Sequence, residues 1–234
     1  MRQIVASRKR GAKGDRRRFF NALEKIPNFF NADDVFVISL SEAHDLLSQW
    51  RGYTPSNVGF CIGFDPQSLT EASWSLDNMQ LVRCVYEDGE QKEFAKALLD
   101  SCLESWVQHG LDEGREAKIS RGTSCIVRFK VYSTFVAAAM KHCAFAEEKE
   151  WGLLGLCRDP KRFRFRPGKS TLTPYIELKW GEGTKAQDAQ PIRSVTVGPC
   201  PDPKLASKSV SHLLKSCALG NVQIKSSQIP FRAW

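Results

Sequence analysis

The sequence predicts an α+β fold in a single domain, with a mostly antiparallel or mixed sheet and three main helices. Three observations lead there. Of the 234 residues, 42% are apolar and 10% aromatic, enough for one sizeable core and too many for a disordered or collagen-like chain. Short β-rich runs are interspersed with amphipathic stretches, without the regular strand–helix alternation of a parallel α/β sheet. There is no internal repeat and no evident linker after residue 34. The expected organisation is therefore a basic arm and short helix over residues 1–34, then one α+β domain over residues 35–234.

Taken in order, Phe19–Ile26 suits a short helix ended by Pro27. Val35–Ser41 (VFVISLS) is nearly all apolar and β-rich, as a central strand would be. Leu46–Arg51 follows as a short helix. Val58–Phe64 alternates Val58, Phe60, Ile62 and Phe64 with Gly59, Cys61 and Gly63. One face of such a strand is bulky, and the other is bare enough for backbone or a ligand to approach closely. Met79–Tyr86 reads as a strand. Lys92–Val107 is the clearest helix, with Phe94, Leu98, Cys102 and Trp106 recurring at i+4.

Cys125–Cys143 reads as a second helix with Phe129, Tyr132, Val136, Ala139, Met140 and Cys143 on one side. A strand is expected at Trp151–Cys157 and a half-exposed one at Pro174–Trp180, then a polar loop at Gly181–Gln190. Ile192–Val197 is a strand closed by Gly198-Pro199. Ala206, Val210, Leu213, Leu214 and Cys217 mark the third helix, with Gly220 placed to end it, and Val222–Ser227 is the last strand.

The formal charge of +8 is concentrated in two segments. Residues 1–18 carry eight Arg and Lys side chains against Asp15, with Gly11, Gly14 and few apolar residues, which reads as a disordered basic arm. Such an arm can bind phosphate backbones by counterion release; the competing reading is a solubilising leader. The second segment, residues 158–169 (RDPKRFRFRPGK), is sharper. As an extended strand it places Arg162, Arg164 and Arg166 on one face and both phenyl rings on the other, an anion-binding face. An edge strand protected by its charges is the equal alternative.

The longest uncharged stretch, Gly52–Phe64, has 13 residues and contains a proline, against roughly 20 for a membrane span. With no apolar segment behind the basic N-terminus, the chain reads as soluble. Eight cysteines spread singly through apolar segments of a chain this size argue for reduced thiols and a cytoplasmic setting. No Cys-x-x-Cys or His-x(3–5)-His supports a metal site, and no P-loop, dinucleotide fingerprint or hydrolase elbow is present. His142 and Cys143, adjacent on the expected helix, point about 100° apart, so Cys143 reads as a buried helix residue. His109 and His212 fall on amphipathic helices and read as surface or packing residues.

Two places carry chemistry. In Ser39–Tyr53 a strand runs into Asp45, Gln49, Trp50, Arg51 and Tyr53, polar and aromatic groups beside a glycine-faced strand, as small-molecule sites are often built. The competing reading makes Trp50 and Tyr53 core residues and pairs Asp45 with Arg51 at the surface. In Glu147–Trp151, Glu148 and Glu150 share a face if extended, and mutual repulsion could raise one pKa toward acid–base use. The two places are expected to converge on a cleft beside the bare side of the Gly59/Gly63 strand.

FVISLSEAHDLLSQWRGY followed by VGFCIGFD, then KHCAFAEEKEW (Lys141, Phe145, Glu148, Glu150, Trp151), FRPGKSTLTPYIEL, VTVGP, SVSHLLKS and SSQIPFR together resemble the bacterial family known as domain of unknown function 2971, in the same order over about Val35–Arg232. Against that family's pattern, residues 1–34 lack an aromatic or His-bearing strand and an Asn-Asp-Pro-x-Glu stretch, which implies a shortened member. Gly152 stands where an arginine is usual. The family's layout is similar to that of ADP-ribosyltransferases, with NAD as substrate. The analogy implies that Glu150 stabilises a ribosyl cation, Glu148 orients the acceptor, and Ser39 or Ser41 supports the nicotinamide ribose. The basic segments would then guide a nucleic-acid or other anionic substrate. The alternative is a non-catalytic nucleic-acid or protein binding module.

Overall fold

The computed structural model describes residues 2–24, 35–54, 58–77, 79–110, 115–157, 159–178 and 191–231. The elements run α1 (Arg2–Arg10), α2 (Gly14–Glu24), β1 (Val35–Ser41), α3 (Leu47–Tyr53), β2 (Phe60–Phe64), α4 (Pro66–Asp77), β3 (Gln80–Arg83), α5 (Asp88–Gly110), α6 (Arg115–Ala139), a 3-10 helix (Cys143–Glu148), β4 (Glu150–Leu156), a 3-10 turn (Pro160–Arg162), β5 (Arg164–Pro167), β6 (Leu172–Tyr175), β7 (Ile192–Val197), α7 (Pro203–Ser216) and β8 (Gln223–Ser226). The class is α+β, as expected. The chain divides into two compact units, residues 1–35 with 82–146, and residues 36–81 with 147–234.

The first unit is helical. Its core gathers Val5, Ala12, Phe19, Phe20 and Leu23 from α1, α2 and the turn between them with Leu99, Cys102, Ile126 and Phe129 from α5 and α6. Phe19 is fully buried, its ring centroid 5.5 Å from Phe20, 5.6 Å from Trp106 and 6.5 Å from Phe129, at the tilted and edge-on angles that aromatic quadrupoles favour. The disordered arm expected over residues 1–18 is therefore corrected: both helices form, because their few apolar residues face one core and their charges find partners. Arg8 bonds Asp100 at 2.9 Å, Lys9 bonds Glu24 at 2.5 Å and Arg18 bonds Asp15 at 3.0 Å.

The long α6 ends at Ala139, short of the expected Cys143. There the chain leaves the helix to bridge Val85, whose N–H donates to Ala139 O at 2.9 Å and whose carbonyl accepts from Lys141 N at 3.0 Å. The Gln91 side-chain amide donates to the carbonyls of Val85 and Lys141, both at 2.8 Å, and locks that crossing. Cys143 is consequently exposed in the 3-10 helix rather than buried.

The second unit holds three small sheets, in the orders β1-β4-β3, β2-β7-β8 and β5-β6. Leu40, Leu69, Met79, Leu81, Leu153 and Leu178 pack on and around the first. In the second, β7 runs antiparallel to β2 and parallel to β8, while Val195, Val197, Val210, Leu214 and Val222 join the sheet to α7. Helices α4 and α7 begin in one way: an aspartate precedes a proline at the first helical position, where a missing N–H costs nothing. Asp65 Oδ1 accepts from Ser68 N at 2.9 Å, and Asp202 Oδ1 from Leu205 N at 2.9 Å. Helix α7 stops at Ser216, and the left-handed turn that follows is taken by Ala218 (φ 59°) rather than by Gly220. Three expectations fall wholly or partly outside the described residues: the helix end at Pro27, the loop at 181–190, and the 179–180 end of the strand expected at Pro174–Trp180. That strand is β6, two residues earlier and shorter.

Candidate functional site

The sharpest charge feature is the β5–β6 ribbon. The antiparallel register pairs Arg164 with Tyr175, Phe165 with Pro174, Arg166 with Thr173 and Pro167 with Leu172. Directly paired residues share a face, so Arg164, Arg166, Thr173 and Tyr175 stand together, and Phe165 and Pro174 face the other way. The Arg166 guanidinium carbon lies 6.0 Å from the Tyr175 ring centroid, at the outer reach of a cation–π contact. Arg164 donates to Lys161 O at 3.3 Å. Among the described residues, neither guanidinium meets a carboxylate. Every residue of β5 is exposed, as are Lys161 and Lys169 at its two ends.

Arg162 departs from the expectation. It sits in the 3-10 turn Pro160–Arg162, started by Asp159 Oδ1 accepting from Lys161 N at 3.0 Å, so the period-two face holds two arginines and not three. The two rings part as well. Phe163 packs against Phe36 with centroids 5.4 Å apart and ties the ribbon's base to β1, while Phe165 is 60% exposed.

The Ser39–Tyr53 and Glu147–Trp151 regions meet at one end, through Ser41 and Glu42. Ser41 Oγ donates to Glu148 O at 2.5 Å and accepts from Ala43 N at 2.9 Å, Glu42 N donates to Lys149 O at 3.2 Å, and Trp151 Nε1 donates to Glu42 Oε1 at 2.7 Å. Strand alternation sets Ser39 beside Val37 and Glu150 beside Gly152, and Gly152 faces Val37 Cγ1, so exposed Ser39 and buried Glu150 share one side of the β1–β4 pair. The shared face expected for Glu148 and Glu150 does not form. Glu148 ends a 3-10 helix, and Lys149 turns the chain through the left-handed region (φ 45°) before Glu150 opens β4.

The bare side of the glycine strand is not a cradle. The space beyond Gly59 is taken by the Thr54 side chain, and that beyond Gly63 by Ser194 Oγ. The bulky face is the exposed one: Phe60 and Ile62 are each 50% exposed. They pair with Val197 and Val195, both buried, but β2 is the edge strand of its sheet.

Asp45 is a structural hub. Its Oδ1 accepts from Trp50 Nε1 at 2.8 Å and Ser227 Oγ at 2.6 Å, and its Oδ2 from Gln228 N at 2.8 Å. Partial burial pushes its pKa up, but the bonds from Ser227, Gln228 and Trp50 and the charge of His44 outweigh that and hold the carboxyl below its ordinary value. Trp50 is buried, its ring against Gly198, where any Cβ would lie 2.9 Å from two ring carbons. Gln49 is half-buried, Arg51 and Tyr53 are exposed, and Arg51 does not pair with Asp45. Because the folded state favours ionised Asp45, its contribution is present above the ordinary carboxyl pKa of about 3.9 and fades as the pH falls through and below it. Asp45→Ala should cost roughly 2 kcal/mol or more, since it leaves the Trp50, Ser227 and Gln228 donors without their acceptor. Urea unfolding at pH 7 and pH 3 checks this: the wild-type–variant gap should narrow at the lower pH.

All eight cysteines are free thiols, with Cys143 and Cys217 exposed. His142 Nδ1 accepts from Ala144 N at 3.2 Å and lies 4.0 Å from Cys143 Sγ, so its lone pair is already engaged. Among the described residues no three His, Cys, Asp or Glu side chains gather in a metal-binding group, and no helix is long and apolar enough to cross a membrane.

Fold and surface together define an α+β protein that carries an exposed arginine ribbon. Residues 49–153, just under half of the chain, match the family described as protein of unknown function (DUF2971), which bears out the resemblance over that stretch. The match takes in Trp50 and the two glutamates and stops short of the ribbon. No curated protein and no solved structure matches the chain.

Proposed function

We propose that this protein is a binding module for single-stranded nucleic acid, and that the β5–β6 ribbon is its contact surface. One observation carries the reading: exposed Arg164 and Arg166 share a face with half-buried Tyr175, and among the described residues neither guanidinium is committed to a carboxylate. Guanidinium forks suit phosphate oxygens, and a ring among them offers a base a stacking surface, the pairing on which sequence-tolerant single-strand binding rests. The ribbon is short, so it spans a few nucleotides and leaves little room for base-edge readout.

The test is fluorescence anisotropy with a labelled oligothymidylate. Tyr175→Ala should weaken binding by about 1–3 kcal/mol while preserving the salt dependence, because stacking carries no counterion release. Arg164→Ala with Arg166→Ala should weaken binding and flatten the salt dependence. Unchanged binding by both variants would remove the ribbon from the interface.

A second reading is favoured by the shared side of Ser39 and Glu150: an ADP-ribosyltransferase-like activity on NAD, with Glu150 near a ribosyl cation and Ser39 or Ser41 on the ribose. Ser41 already spends its hydroxyl on Ala43 and Glu148, which leaves Ser39 as the freer candidate. This reading expects nicotinamide release from NAD that Glu150→Gln abolishes. Equal release by the two proteins, or none by the wild type, retires it and leaves the binding module.

A further inference from the structure

In the sheet β2-β7-β8 the two edges differ in kind. The β8 edge carries exposed Lys225, a charge of the sort that deters strands from pairing. Residues 58–64 (VGFCIGF), which contain β2, carry no charge, and Val58, Phe60 and Ile62 are 38%, 50% and 50% exposed. Two hydrogen bonds fix which way this backbone points. Gly198 N donates to Gly59 O at 2.8 Å, so Gly59 and, by alternation, Cys61 and Gly63 turn their backbone groups to β7. Val197 O, opposite Phe60, instead accepts from Ser227 N at 2.8 Å, on the β8 side. The N–H and C=O groups of Val58, Phe60 and Ile62 therefore point outward, away from β7. Among the described residues no strand pairs with them. This edge ends where the register shifts between Gly63 and Phe64, and Phe64 packs against the cluster of Leu69, Met79 and Leu153.

We propose that this edge pairs with the same edge of a second copy of the chain, antiparallel about a two-fold axis at Phe60. Phe60 is the midpoint of the three outward residues, and that centre alone uses all of them. Phe60 then faces its own counterpart and Val58 faces the second copy's Ile62, and each such pair exchanges two N–H···O bonds. The side chains agree with the backbone, because every facing pair is apolar on apolar and Gly59 lies opposite Cys61 between them. Directly paired residues share a face, so Phe60 and Ile62 extend the apolar face of Val197 and Val195 beyond the part that α7 covers. The second copy's strand brings the same side chains against them. A second copy fits better than an unrelated strand because the run is its own complement. Pairing about the axis also uses up both uncharged edges, so the assembly closes at two chains. The contact is short beside the roughly 1,600 Å² of a standard interface, so the dimer is weak and concentration-dependent.

The test is sedimentation equilibrium of the full chain over a concentration series. The average mass should rise from one chain toward two and no further. Ile62→Lys should hold it at one chain with an unchanged far-ultraviolet spectrum, since Ile62 already stands half in solvent. Cross-linking checks the register in a chain whose exposed Cys143 and Cys217 are replaced by serine. There Phe60→Cys should link to its counterpart on mild oxidation, because facing Cα atoms of a bonded pair lie about 5.5 Å apart, within disulfide reach. Ile62→Cys should not link to itself, since the two copies of that position are four residues out of register, about 13 Å apart. A single-chain mass at every concentration overturns the proposal, as does growth beyond two chains. A dimer indifferent to Ile62→Lys, or cross-linking by both cysteine variants alike or by neither, overturns it too.

Discussion

Reversing the charge on the ribbon, Arg164→Glu with Arg166→Glu, should lower oligonucleotide affinity by roughly two orders of magnitude. Each lost charge-assisted contact to phosphate accounts for about 1.5 kcal/mol, and about 1.4 kcal/mol is a tenfold change in affinity. Introduced carboxylates repel the backbone and add to that loss. The fold should survive. Both side chains point to solvent, and what holds the ribbon in place is its own register and the Phe163–Phe36 contact, neither of which uses the guanidinium groups. Unchanged far-ultraviolet circular dichroism with lost anisotropy is the expected signature. The reverse pattern, intact binding with a disturbed spectrum, would place the arginines in the structure rather than at an interface.

The largest stability effect should come from Phe19→Ala, at about 3–5 kcal/mol, the range for emptying a buried phenylalanine site. Phe19 has no exposed surface and touches rings from three other positions, so the neighbours cannot close over the void without moving α2, α5 or α6. Small domains are stable by only about 5–15 kcal/mol, so a loss of this size should lower the helical melting transition strongly. Arg17→Ala, a few residues earlier and exposed, should leave that transition almost where it was. If Phe19→Ala and Arg17→Ala behave alike, residues 2–24 are not a packed part of the first unit.

Much of the fold was legible because the strongest signals are periodic. The i+4 stripe of Lys92–Val107 lies inside α5, Val35–Ser41 coincides with β1, and Ile192–Val197 coincides with β7. The misreadings have physical sources. Helix α1 and the first turn of α2 were hidden because counting charges ignores where the few apolar residues fall: Val5 and Ala12 join Phe19, Phe20 and Leu23 in one core, and among the described residues three of the arm's eight cations are neutralised by partners, one of them distant in sequence. Helix α4 was missed although its Asp65-Pro66 start carries the same signal that opens α7.

The candidate site divides in the same way. Period-two reasoning found Arg164 and Arg166, but the capped turn at Asp159 removed Arg162 from their face. Tyr175 could not be found from local pattern at all, since only the strand register sets it opposite Arg164. For the glycine strand, a sequence shows an empty side but not what fills it, and Thr54 and Ser194 do. Asp45 was singled out as a ligand-site residue, and its structural partners Ser227 and Gln228 lie far along the chain, beyond what spacing can reach.

The dependence of oligonucleotide affinity on salt tests the binding-module reading most directly. Lys161, Arg164, Arg166 and Lys169 can together meet up to four phosphates, which on single strands gives a slope of log affinity against log salt of about −2 to −3, falling toward about −1 when both arginines are replaced by alanine. A slope near zero, or a steep slope that the double substitution leaves unchanged, would contradict it.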